Sequence, residues 1–263
     1  MKHRFAYTII YIGACLLLPW LSSCNQQEDI PETTTAMTLD LGSITKPTYP
    51  EEINLMGGSR AVDSASEIDN NWKNGDVIGL TLTISDIFNE SITLTHNGTT
   101  FVSSDNTKLS VVDGKLKLTL PLTTVTTIKT VTPGTYSLAI SATYTPVNLS
   151  TNTNPTFTNY NQSITLNENA ELTSKFIISF SHQTARLRVH TRMSGQTVTF
   201  NNGTEYSETT NANGNAFYYG PALNNATTGL TIKVGSKTIY QASAYNPVTL
   251  TAGNAYAIDA SDY

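Results

Sequence analysis

KLKLTLPL, residues 115–122, sets apolar and polar side chains in strict alternation. In an extended chain this puts Leu116, Leu118, Leu120 and Leu122 on one face and Lys115, Lys117 and Thr119 on the other, the pattern of a half-buried strand. Pro121 offers no backbone N–H, so the strand is expected near a sheet edge or a bulge. Working outward, VIGLTLTI (77–84) turns Ile78, Leu80, Leu82 and Ile84 inward. TYSLAISATY (135–144) does the same with Tyr136, Leu138, Ile140, Ala142 and Tyr144. LTIKVGSKTIY (230–240) reads as a hairpin turning at Gly235-Ser236. Turn pairs recur at Asn97-Gly98, Asp113-Gly114, Pro133-Gly134, Asn202-Gly203 and Asn213-Gly214. Threonine makes up about one residue in six, as half-exposed strands favour. No long segment keeps a helical period. The fold class expected is all-β, with two tandem antiparallel β-sandwich domains, residues 37–180 and 181–263. The polar stretch 148–162 is expected to be an excursion loop.

The N-terminal 23 residues read as a leader to be removed. Lys2, His3 and Arg4 precede an apolar run from Phe5 to Leu18 that Pro19 ends before it is long enough to span a bilayer. Leu21-Ser22-Ser23-Cys24 has the form of a lipobox, so residues 1–23 are expected to be a lipoprotein signal peptide and Cys24 the lipidated first residue. Cys15 leaves with the leader, and Cys24 then has no partner for an internal disulfide. At about 0.8 kcal/mol per buried methylene, two or three acyl chains such as palmitate anchor the chain to a membrane, and Asn25–Asp29, with Glu28 and Asp29, loosely resembles an acidic signal that sends lipoproteins to the outer membrane. Residues 24–36, polar, acidic and proline-containing, read as a stalk.

Removing 23 of 263 residues leaves 240, and losing Lys2 and Arg4 leaves 13 basic against 20 acidic residues, a net charge of −7. Such a surface does not recruit nucleic acid. His96, His182 and His190 lack ligand spacing, so no metal and no cofactor is expected. No nucleophile–base pair or phosphate-cradling glycine motif stands out, which points away from an enzyme with catalytic residues. Carboxylates brought together only by folding leave no mark in sequence spacing.

In ARLRVHTRM (185–193), Leu187, Val189 and Met193 share one face, and Arg186, Arg188, His190 and Arg192 share the other. The arginines read either as a contact stripe for an anionic glycan or acidic partner, or as a solvated face beside neighbouring carboxylates. NAFYYGPA (215–222) is the best candidate for aromatic ligand contacts through Phe217, Tyr218 and Tyr219, unless alternate members pack inside. Arg60 stands alone between Arg4 and Arg186, either a chance loop residue or a single protease site.

Three stretches together resemble the fimbrillin family, the pilins of type V pili and their surface relatives in Gram-negative gut and oral anaerobes. They are NWKNGDVIGLTL (71–82), FIISFSHQTARLRVH (176–190) and VTLTAGNAYAID (248–259). Independently of the family, Trp72 is an apolar anchor, Gly75-Asp76 a turn before a buried strand, and His182 a neutral junction histidine. The resemblance implies two transthyretin-like sandwiches and export as a lipidated precursor, on the cell surface or in a fimbrium. It also implies cleavage by a trypsin-like protease after an arginine, after which a strand of another fimbrial subunit fills the vacated groove. Arg60-Ala61, behind Gly57, Gly58 and Ser59, stands where such a site belongs. AMTLDLGSI (36–44), with Met37, Leu39 and Leu41 in alternation, is then the removable strand. Asp63-Ser64-Ala65 is similar to a short O-glycosylation motif. The chain ends at Tyr263 just after AYAID, which gives the expectation of a tip or stand-alone role over a shaft pilin. Two functions follow: an adhesive or structural subunit assembled by donor-strand exchange, or a monomeric outer-membrane lipoprotein that binds a glycan or host ligand.

Overall fold

The computed structural model describes residues 36–50, 52–56, 71–147, 155–221, 223–227, 229–244 and 248–263. In chain order the first strands are β1 (Met37–Thr45), β2 (Ile53–Asn54), β3 (Val77–Ile84), β4 (Phe88–His96), β5 (Phe101–Ser103), β6 (Leu109–Val112) and β7 (Lys115–Leu120). Helix α1 (Leu122–Lys129) precedes β8 (Ser137–Thr145), β9 (Tyr160–Thr165) and β10 (Phe176–Ser179). There follow β11 (Thr184–His190), β12 (Thr197–Asn201), β13 (Glu205–Thr209), β14 (Asn215–Pro221), β15 (Leu223–Thr227), β16 (Thr231–Val234), β17 (Lys237–Gln241), β18 (Val248–Leu250) and β19 (Ala255–Asp259). The protein is mostly β, with one short helix among the described residues.

Two sheets, ordered β10-β1-β7-β6 and β5-β4-β3-β8-β9, enclose the first core. The alternation works as the side chains dictate: Leu116, Leu118 and Leu120 of β7 meet Ile78, Leu80, Leu82 and Ile84 of β3 and Leu138 and Ile140 of β8 in that core. Each such side chain withdrawn from water contributes roughly 1.5–3 kcal/mol. Asp113 and Gly114 both take positive φ (50° and 72°) between the paired Val112 and Lys115, the geometry of a two-residue type I′ hairpin.

Pro121 acts differently from the expectation. It terminates β7 and stands as N-cap of α1, so its missing N–H costs the sheet nothing, and β7 lies inside its sheet between β1 and β6. Leu122 therefore leaves the leucine face and is exposed. The helix buries only Thr124, Val125 and Ile128.

The second core is lined by Leu187 and Val189 of β11, Phe200 of β12, Ile232 of β16 and Tyr256 and Ile258 of β19. Its sheets run β14-β11-β19-β2, β13-β12-β16-β17 and β15-β18. Gly235 alone supplies the positive φ (57°) of the β16–β17 hairpin, as in a type II′ turn. Three expectations are corrected. The sheets are mixed, because β1 pairs in parallel with β10, and β19 in parallel with both β11 and β2. The excursion expected to run to residue 162 ends sooner, since β9 begins at Tyr160 and pairs along β8. Met193 lies beyond the end of β11 and is exposed rather than inside.

Candidate functional site

The leading segment of the described chain is built into both cores. β1 lies inside its sheet, antiparallel to β7 on one side and parallel to β10 on the other, with Leu39 and Leu41 buried. A register shift between Asp40 and Gly42 inserts Leu41 as a bulge. Gly42 adopts φ +108°, and a Cβ there would stand 2.2 Å from the Phe176 carbonyl oxygen, so β10 approaches β1 only over a glycine. Asp40 ties the strand to both neighbours, 2.7 Å from Lys175 Nζ and 3.1 Å from Lys117 Nζ. Lys175 first and Lys117 second hold its carboxyl down to about 2.

From β1 the chain passes through the proline-containing KPTYPEE (46–52, of which 46–50 and 52 are described) to the second core. Lys46 is buried at its start. Its ammonium stands 3.3 Å from Asp76 Oδ2, donates to the Asn71 carbonyl, and lies 5.4 Å over the Trp72 ring. Asp76, the turn residue of the Gly-Asp pair, also accepts the backbone N–H groups of Lys73 (2.8 Å) and Val147 (2.9 Å). Tyr49 stacks on His182 with ring centroids 3.7 Å apart and leans on Tyr219. Beyond Glu52, β2 adds to the edge of β19, and Leu55 N–H donates to the Ala257 carbonyl.

Glu52 is the centre of the arrangement. Its side chain is 3% exposed, and those of Arg186 and Arg188 are 0% and 2% exposed. Arg188 donates Nε to both carboxylate oxygens at 3.0 Å and Nη2 to Oε2 at 2.6 Å; Arg186 donates Nη1 to Oε1 at 2.8 Å. Arg188 Nη1 donates to Asn215 Oδ1 (3.0 Å), which also meets His190 Nδ1 at 2.9 Å. The Arg186 guanidinium lies 4.7 Å over the Phe217 ring. The β14-β11-β19-β2 sheet thus has two covered faces, one on the second core and one beneath Tyr49 and Glu52, which is why β11 is buried on both sides. Two guanidiniums converging on one carboxylate make a charge-assisted site withdrawn from solvent.

The register explains where the expected contacts go. Arg186 lies opposite Tyr219 and Arg188 opposite Phe217, so these four share the face beneath the connecting segment, while Tyr218 turns into the second core. Tyr218 receives a hydrogen bond from Asn202 Nδ2 at 2.9 Å, and burial pushes its hydroxyl up to about 12. The three arginines do not form one solvated stripe: only Arg192 is at the surface, 3.7 Å from Asp262. Nor does residues 217–219 present three aromatics to solvent. Cys24, Arg60 and Ala61, with Asp63-Ser64-Ala65, lie outside the described residues. Lys46, Tyr49 and Glu52 are the functional side chains that sequence reasoning missed. A usable signal existed: Lys46 is the one lysine or arginine between Arg4 and Arg60, directly before Pro47-Thr48-Tyr49-Pro50 and a Glu pair.

No family model and no curated protein sequence matches the chain. Among solved structures it is similar to a protein assigned to cell adhesion from Bacteroides fragilis, with 12% identity and a TM-score of 0.41 over 84% of this chain and 91% of that one. A fimbrial protein from Bacteroides ovatus gives 10% identity and a TM-score of 0.42 over 84% of this chain and 49% of that one. A protein from Bacteroides uniformis, also assigned to cell adhesion, gives 11% and 0.34 over 68% and 91%. The structural similarity is thus to Bacteroides fimbrial and adhesion proteins at low sequence identity.

Proposed function

We propose that the protein is a cell-surface fimbrial or adhesion subunit, exported as a lipoprotein through Cys24 and assembled by strand exchange after cleavage between Arg60 and Ala61. The observation that carries this reading is the position of β1. It is an interior strand contributed by the chain's leading segment, and its departure would leave β7 and β10 facing each other across a strand-wide slot lined by leucine. A slot of that kind presents unpaired backbone groups and apolar pockets to an incoming strand. One arginine separates the leading segment from the rest of the chain up to Arg186. Incubation with a trypsin-like protease, followed by N-terminal sequencing and gels run without heating, tests the proposal. A new terminus at Ala61 with ladders supports a polymerising subunit, and the same terminus without ladders a terminal one. Resistance at Arg60 in a protein that still assembles defeats it.

A second reading has its own observation. The leading segment is fastened at Asp76 and again at Arg186 and Arg188 by ion pairs almost out of water. That favours a lipid-tethered surface protein that keeps its N-terminal segment for life and binds a ligand elsewhere. An uncut monomer in the same assay supports it.

A further inference from the structure

We infer that Arg186 and Arg188 form a carboxylate-recognition site for the strand segment that occupies this face. Resting on the strand-exchange reading above, the occupant after processing is a segment of a second subunit carrying an acidic side chain where Glu52 now sits. Release of the residues up to Arg60 removes not only β1 but also Glu52, the carboxylate that both guanidiniums address. Part of what holds the guanidiniums in place belongs to β14 and stays behind. Asn215 Oδ1 takes Arg188 Nη1, and Phe217 lies beneath Arg186. Asn215 brings an amide and no charge, so it orients Arg188 without replacing the carboxylate. The free edge of Arg188, Nε with Nη2, is left in the fork geometry that fits a carboxylate bidentately.

The same geometry sets selectivity. An apolar or basic residue in the Glu52 position would bury the Arg188 guanidinium without the carboxylate it addresses, a penalty that acts mainly on the rate of dissociation. The leucine slot of the first core accepts many apolar strands, whereas this site accepts only an acid. The pair therefore supplies partner discrimination that the slot cannot.

The test uses the mature chain with a specific-protease site placed within residues 57–70, so that cutting does not depend on Arg60. After cutting, release of the N-terminal segment is followed for the unaltered sequence and for Glu52→Gln and Glu52→Asp. The Gln form is expected to leave at least about 30-fold faster, with the Asp form recovering part of the difference. Because a variant chain can fail to fold, synthetic peptides of residues 36–56 bearing Glu or Gln at position 52 are also offered to the cut unaltered protein. The Glu peptide is expected to be retained over the Gln peptide by a similar factor. Equal behaviour of the Glu and Gln forms in both assays, including release of neither, overturns the inference. Trypsin-like digestion of the unaltered chain runs alongside. Resistance at Arg60 there removes the processing reading, while the release rates still decide whether the arginines read a carboxylate.

Discussion

Glu52 and Arg188, 136 residues apart, meet edge to edge, with both carboxylate oxygens engaged and each side chain almost fully withdrawn from water. A buried pair of this kind is weak evidence of net stabilisation, but breaking it strands a charge. Glu52→Gln in the uncut protein is therefore expected to cost about 3–5 kcal/mol. Replacing Glu52, Arg186 and Arg188 together with leucine or methionine should recover most of that loss. Urea unfolding midpoints of the two variants check the ordering, and a triple variant less stable than the single one would contradict it.

Gly42→Ala is expected to unseat β1 selectively. The new methyl would collide with the Phe176 carbonyl at a φ of +108° that alanine rarely adopts. The loss should exceed about 1 kcal/mol. Amide hydrogen exchange should quicken along residues 37–45 and their partners in β7 and β10, and remain unchanged in β11 and β19. Uniform quickening throughout would mean that β1 is not a separable unit.

Asp40 gives a pH dependence of definite sign. Its folded pKa of about 2 lies below the ordinary aspartate value of 3.8, so the native state favours the charged form. The stability this contributes is complete above the unfolded value and is lost as pH falls through about 2. Between pH 5 and pH 2 the unaltered protein should lose more stability than Asp40→Asn, whose curve lacks this component. Parallel curves would show that Lys175 and Lys117 do not fasten β1.

The alternating leucines of β3, β7 and β8 and the turn at Asp113-Gly114 were legible because strand period and turn conformation are local properties. So was the apolar pair Leu39 and Leu41, although not the bulge at Leu41 itself. Helix α1 was hidden: its eight residues hold four threonines and bury three side chains, too few to establish a period against a β-rich background. Strand period places Arg186 and Arg188 of β11 on one shared face, while the solvated surroundings expected for them give way to burial. Strand period says which residues share a face but not what covers it, and the cover here comes from Tyr49 and Glu52, more than a hundred residues earlier. Long-range pairing of that sort leaves only a compositional trace, a cluster of arginines with no local acid.

Lys46 and Trp72 offer a direct report on the same segment. Trp20 lies in the expected leader, so Trp72 is the one tryptophan of residues 24–263. Its ring contacts Phe101 and Tyr144 edge-on and faces the buried Lys46 ammonium. Asp76→Ala leaves that ammonium without its carboxylate and takes the acceptor from the Lys73 and Val147 amides. Lys46→Met keeps the stem volume and leaves Asp76 with both amide donors. Asp76→Ala should therefore cost more, about 3–5 kcal/mol against roughly 1–3 kcal/mol for Lys46→Met. Cutting within residues 57–70 followed by loss of the N-terminal segment should open the Trp72 site to water and shift its emission to longer wavelength. Adding the 36–56 peptide should reverse the shift. Unchanged emission while the segment demonstrably leaves would mean that Lys46 does not seal the Trp72 site, and that the seat of β1 extends no further than the sheet itself.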